Sequence, residues 1–231
     1  MKIEIDPRQL HNLKTLNGIF PKNDEQVVLY KIGHALAFIF KDQTAMCLAF
    51  ARLEESSEHP RQLPIPFTFE QLWKYCSQEE YMKWQGFNVS LKYIIPFLEG
   101  KYDPLSAEEK LIIELLKKED LTKCLSIIAT HVNSDGLVLL HELGHWAYLY
   151  KEYQKEVNDL LAKFTNKVQG IKKVLRKSNA YHESYLLDEV HAYILGNSPL
   201  AKIQIPREFI PDQLQKAMRE IFYRYYQILN S

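Results

Sequence analysis

The sequence predicts an α+β fold that is mainly helical, with one small sheet. Three observations carry this. Glycine is scarce, 8 in 231 residues, so long stretches are free to stay helical. Beyond about residue 66, most segments place apolar residues three and four apart, the spacing of one helix face. Only a few short runs alternate, or cluster β-branched and aromatic residues, as strands do.

Taken in order, Lys2-Ile3-Glu4-Ile5 alternates like a short strand. From Val27 to Leu53 two readings compete: Ala35–Phe40 and Ala45–Leu53, joined by the polar Lys41-Asp42-Gln43-Thr44, form a β-hairpin or a helical hairpin. Aromatic and β-branched residues tilt the choice slightly towards strands. Residues 54–66 (EESSEHPRQLPIP) are polar and proline-rich, the composition of a boundary. The predicted division is therefore an N-terminal α+β region, 1–65, of unassigned role, and a mainly helical domain, 66–231. In the second part the pattern predicts a helix from Thr68 or Phe69 to Trp84 and a shorter one from Ser90 to Leu98, broken near Pro96. Ser106-Ala107-Glu108-Glu109 reads as a capping box, opening a helix to about Lys118. Cys124–Val132 reads as a strand, Asn133-Ser134-Asp135-Gly136 as a turn, and a helix follows from about Leu137. Further helices are expected at about 152–167, 181–195 and 212–229, the last entered through Pro211.

Charge and composition exclude several classes. Lys and Arg together number 29, and so do Asp and Glu, with a sequence pI near 7.1. A nucleic-acid binder needs a basic excess to displace counterions, so no nucleic-acid partner is expected. No apolar run approaches the roughly 18 residues of a membrane span, and the N-terminus lacks the apolar segment of a signal peptide. Cys47, Cys76 and Cys124 are odd in number and far apart, which argues against a disulfide framework or a CxxC site. The expected location is the cytoplasm, or the exterior by a route without an N-terminal signal.

One segment carries chemistry: Val138-Leu139-Leu140-His141-Glu142-Leu143-Gly144-His145-Trp146-Ala147. Residues i and i+4 share a helix face, so the imidazoles of His141 and His145 can reach one tetrahedral cation. Glu142 projects about 100° around the axis, where it can take a proton from a water on that cation. A zinc ion, one per chain, suits two imidazoles and lowers the pKa of such a water to about 7. Apart from Glu142, the stretch 137–150 contains neither acidic residues nor proline. A helix apolar nearly all round is buried, and burying a carboxylate with two imidazoles is costly without a partner.

His141–His145 with its apolar flanks resembles the active-site helix of the zincin metallopeptidases. The resemblance spans about residues 124–196. It implies a twisted sheet whose edge strand binds substrate, and Cys124–Val132 sits where that strand is expected. The metzincin branch wants Gly and His where this chain has Tyr148 and Lys151, and the Gly-x-Met-Glu-Asn loop of the aminopeptidase branch is absent. Between Glu156 and Glu183 there is no glutamate, so thermolysin-like spacing is unsupported. Asp188-Glu189-Val190-His191-Ala192 is similar to the Glu-x-x-Ala element of gluzincins, at a spacing resembling lethal-factor-type toxin peptidases. That resemblance implies Glu189 as third zinc ligand, Tyr181 as donor to the developing oxyanion, a protein or peptide substrate, and the character of a delivered effector or toxin. Tyr185 and Tyr193 are alternatives to Tyr181. Among rivals for the third ligand, His191 lies about 200° from Glu189 on one helix and is read as a supporting contact or a core histidine. Asp188, Glu183 and His182 are read as solvated positions.

Other enzyme classes lack their motifs. A di-iron bundle needs a second Glu-x-x-His, a zinc deaminase needs Pro-Cys-x-x-Cys, and an acyl-transfer hydrolase needs a nucleophile elbow; none is present, nor is a phosphate or dinucleotide loop. The remaining alternative to a zinc peptidase is a non-catalytic helical interaction protein with a structural metal site. Glu142 separates the two, because a structural site has no use for a base.

Overall fold

A computed structural model of the protein describes residues 21–22, 24–58, 66–178 and 181–230. The expected strand at residues 2–5 lies outside them, as does residues 59–65 of the expected boundary. The architecture is α+β and mainly helical with one four-stranded mixed sheet. The described residues fall into two compact units, 21–134 and 135–230.

The first unit holds the sheet. Strands β1 (Val27–Ile32) and β2 (Ala35–Phe40) form an antiparallel hairpin with Ile32 opposite Ala35. Its two-residue turn uses Gly33 at φ 57°, a left-handed conformation cheap for glycine. β3 (Gly86–Ser90) and β4 (Ser126–His131) complete the order β1-β2-β4-β3, with β2 and β4 parallel and β3 and β4 antiparallel. Two strands therefore come from before residue 65 and two from after it, so the sheet spans the proline-rich boundary. β4 is the expected Cys124–Val132 strand, but it is interior. Its backbone pairs on both sides, so it has no free edge to offer an extended peptide, contrary to the expectation.

The reading of 27–53 as a hairpin between 35–40 and 45–53 is also corrected. The partner of β2 is β1, and residues Gln43–Glu58 form a helix, α1. Asp42 caps it, its carboxylate accepting from the Ala45 amide at 2.9 Å. The polar run 41–44 is thus a helix start. Met46, Cys47, Ala49, Phe50, Ala51 and Leu53 are all buried, which erases the amphipathic period that would have revealed the helix. Phe50 stacks on Phe87 of β3, ring centres 5.6 Å apart, and meets Phe38 and Phe40 of β2 edge-on.

The expected helix 68–84 is two: α2 (Phe69–Tyr75) and α3 (Gln78–Tyr81), divided at Cys76, which is extended. Next come α4 (Leu91–Leu98), which contains Pro96, and α5 (Ala107–Leu116). The strand β3 that precedes α4 was not foreseen. The Ser106–Glu109 capping box is present as expected. Its Glu109 has a second task. Arg52 of α1, 2% exposed, makes a bidentate pair with it (2.7 and 2.5 Å) and donates to the Phe67 and Tyr102 carbonyls. One carboxylate therefore caps α5 and ties it to α1.

The second unit is helical: α6 (Gly136–Tyr148), α7 (Lys151–Ala162), α8 (Thr165–Lys177), α9 (Leu186–Leu195) and α10 (Asp212–Asn230), with a 3-10 turn at Arg207–Phe209. The expected helix 152–167 ends at Ala162, and α8 is additional. Gly170 in α8 leaves room for the Phe209 ring, since a Cβ there would sit 2.4 Å from it. No described helix is long and apolar enough to cross a membrane.

Removing one partner of a buried ion pair strands the other's charge. We expect Arg52→Ala or Glu109→Ala to lower the unfolding free energy by about 3–5 kcal/mol. Lys74→Ala, which breaks the exposed pair with Glu70, should leave the urea midpoint unchanged.

Candidate metal centre

The His-Glu-x-x-His segment lies on α6, as the spacing implies. Asp135 starts the helix: one carboxylate oxygen accepts from the amides of Leu137 and Val138 at 3.0 Å each, and the other from the Ser198 hydroxyl at 2.8 Å. α6 is buried almost all round, and α9 packs against it. Two glycines permit that packing. A Cβ on Gly196 would stand 2.2 Å from the Leu137 carbonyl oxygen and 2.5 Å from the His141 nitrogen. On Gly144 it would meet Leu195 and His191 at 3.1 and 3.2 Å. From α10, Gln215 and Arg219 donate to the Ile194 and Leu195 carbonyls, satisfying acceptors at the end of α9 that have no partner within the helix.

This packing brings together His141, His145 and Glu189. One ligand atom from each lies within 4.8 Å of the others. The two Nε2 atoms are 3.2 Å apart; Glu189 approaches His141 Nε2 at 3.8 Å and His145 Nε2 at 3.5 Å. The imidazoles keep 13% and 15% of their surface exposed, and Glu189 6%, so all three side chains are largely buried. Glu142 is buried on the same helix, 8% exposed.

Charge follows geometry. Burial pulls the His141 pKa well below its ordinary value, and the neighbouring His145 adds to this. Burial also disfavours protonated His145, but the carboxylates of Asp188, Glu189 and Glu142 outweigh it and hold its pKa well above the ordinary value. Asp188 shows the counterpart: burial opposes its charge, yet cationic His145 keeps its pKa below the usual carboxylate range.

The other expected residues separate cleanly. The Tyr181 hydroxyl is 3.2 Å from that of Tyr193, whose ring packs edge-on against His141 with centres 4.7 Å apart. Tyr181 thus connects to the cluster through Tyr193. His182 and Glu183 are exposed, Glu183 pairing with Arg176. Asp188 is a correction: far from being a solvated position, it lies 3.0 Å from His145 Nδ1. His191 is fully buried and turned away from the cluster, its Nε2 2.6 Å from the Tyr153 hydroxyl. Gly144, Gly196 and Tyr153 were missed. No local sequence signal marks Tyr153, and a glycine's role in close packing emerges only once its neighbour is known.

No family model, curated protein or solved structure matches the chain.

We expect Gly196→Ala to destabilise the protein by about 1–3 kcal/mol, because its neighbours are backbone atoms that cannot step aside. Gly144→Ala, facing side chains that can shift, should cost less. Denaturant midpoints of the two variants check the order.

Proposed function

We propose that the chain is a zinc-dependent peptidase, with zinc held by His141, His145 and Glu189 and with Glu142 as general base. The observation that carries this reading is the convergence of two imidazole nitrogens and one buried carboxylate from separate helices. The donor set fits zinc: two neutral nitrogens and one oxygen leave a fourth position for chemistry. The surroundings fit as well. Asp188 stands behind His145, 3.0 Å from Nδ1, the kind of support that fixes the ring of a metal-bound histidine.

Zinc held there supplies Lewis acidity, polarising a scissile carbonyl and acidifying a water. Glu142 takes the proton of the attacking water and delivers it to the leaving amine. Tyr181 or Tyr193 offers a hydroxyl to the oxygen on which negative charge develops. A structural site would close its fourth position with another Cys or His. Among the described residues the cluster has three members, which favours the catalytic reading.

Elemental analysis should find one zinc per chain, lost in Glu189→Ala. Glu142→Gln should retain the metal and lose peptide hydrolysis by at least about 100-fold, the usual contribution of a general base. Full activity in Glu142→Gln would remove the mechanism and leave the structural-site reading.

The pH dependence has a definite sign. A raised His145 pKa stabilises the metal-free fold below the unfolded value of about 6.5 and loses that contribution as pH rises through the folded value. Zinc must displace this proton. We expect the rise in Tm on adding zinc to grow from about pH 6 to pH 8, and a constant rise would exclude His145 as a ligand.

A further inference from the structure

Behind the ligand cluster, Asp188 leads to two further buried polar groups, His191 and Tyr153, that the proposed chemistry does not use. Asp188 Oδ1 stands 3.0 Å from His145 Nδ1 and 3.7 Å from His191 Nδ1. The other nitrogen of His191 is 2.6 Å from the Tyr153 hydroxyl. His191 and Tyr153 have no exposed surface. A buried imidazole and a buried phenol bonded to each other are costly to desolvate, and an apolar pair would pack in their place.

The arrangement has one consistent polarity. With the ring proton of His191 on Nδ1, the side facing Asp188, Nε2 is the acceptor and the Tyr153 hydroxyl the donor. Asp188 then has His191 behind it at 3.7 Å, longer than a direct hydrogen bond, and faces His145 Nδ1 in front at 3.0 Å. The His191 ring cannot drift. Tyr148 stacks on it, centres 5.1 Å apart and planes 21° apart, and the Tyr148 hydroxyl is tied to Asn158. On another side the ring abuts the backbone at Gly144, where an added Cβ would lie 3.2 Å from it.

We infer that Tyr153, His191 and Asp188 form a buried positioning chain that sets the ring orientation of His145, so that metal affinity is governed in part from α7. The inference rests on the reading of His141, His145 and Glu189 as metal ligands. It is independent of which bond is hydrolysed. Asp188 fixes the His145 tautomer and turns its Nε2 towards Glu189; His191 and Tyr153 limit the positions Asp188 can take. None of the three touches substrate in this scheme.

The test measures zinc affinity by competition with a chromophoric chelator, and Co2+ absorption spectra, on the full chain. The variants are Asp188→Asn, His191→Gln, Tyr153→Phe and the double variant Asp188→Asn/Tyr153→Phe. Asp188→Asn should weaken zinc binding roughly 10- to 100-fold, the usual cost of removing a carboxylate behind a metal-bound histidine. Tyr153→Phe and His191→Gln should each weaken it by a smaller factor and shift the Co2+ bands. In the Asp188→Asn background Tyr153→Phe should add nothing, because its effect passes through Asp188. Metal-free melting curves separate this from general loosening, which would lower the Tm without changing the cobalt spectrum. Unchanged affinity and spectrum in Tyr153→Phe and His191→Gln, or equal effects of Tyr153→Phe with and without Asp188, overturn the positioning chain alone. Failure of the wild-type chain to bind zinc or cobalt overturns both the chain and the metal reading beneath it.

Discussion

The site depends on how closely two helices approach. α6 supplies His141, Glu142 and His145, and α9 supplies Asp188 and Glu189, so neither helix carries the cluster alone. What joins them is the absence of side chains at Gly144 and Gly196, together with the small Ala192. The cluster is therefore a property of backbone packing before it is one of side-chain identity. Asp135, bridging the first amides of α6 to Ser198 beyond α9, secures the same approach from the other end.

The order of the sequence is reflected in the order of the chemistry. On α9, Asp188 and Glu189 are neighbours, yet they address different nitrogens of one imidazole: Glu189 lies by Nε2 of His145 and Asp188 by Nδ1. Two carboxylates on adjacent positions of a helix diverge by about 100°, and the ring of His145 fills the angle between them. A protonated His145 is accordingly held between two opposite charges.

Much of this was legible beforehand, for identifiable reasons. The i, i+4 histidines are a local pattern with a single geometric meaning, so their placement on α6 followed directly. The capping box at Ser106 was equally local. Glu189 was reached through a resemblance in spacing, and the structure places it beside both imidazoles. Strand-helix choices failed where burial removed the period, as in α1, whose apolar residues face the core on several sides. β3 was hidden by its brevity and by the helix that starts at its end. Asp188 and Tyr153 were opaque because the first looks like any charge on a helix surface and the second is one of 14 tyrosines. Their partners come from elements that no local pattern connects.

The parallel pairing of β2 with β4 joins positions about ninety residues apart, beginning with Ala35 against Ser126. Contacts that distant form late, because a large loop must close before they are rewarded. A ribosome would release β1, β2 and α1 well before β4 exists, leaving one side of a strand of the sequence ALAFIF without its neighbour. That strand has no charge or proline to discourage pairing with another chain. A partly folded copy without β4 therefore leaves at β2 an uncharged strand edge open to pairing with another chain.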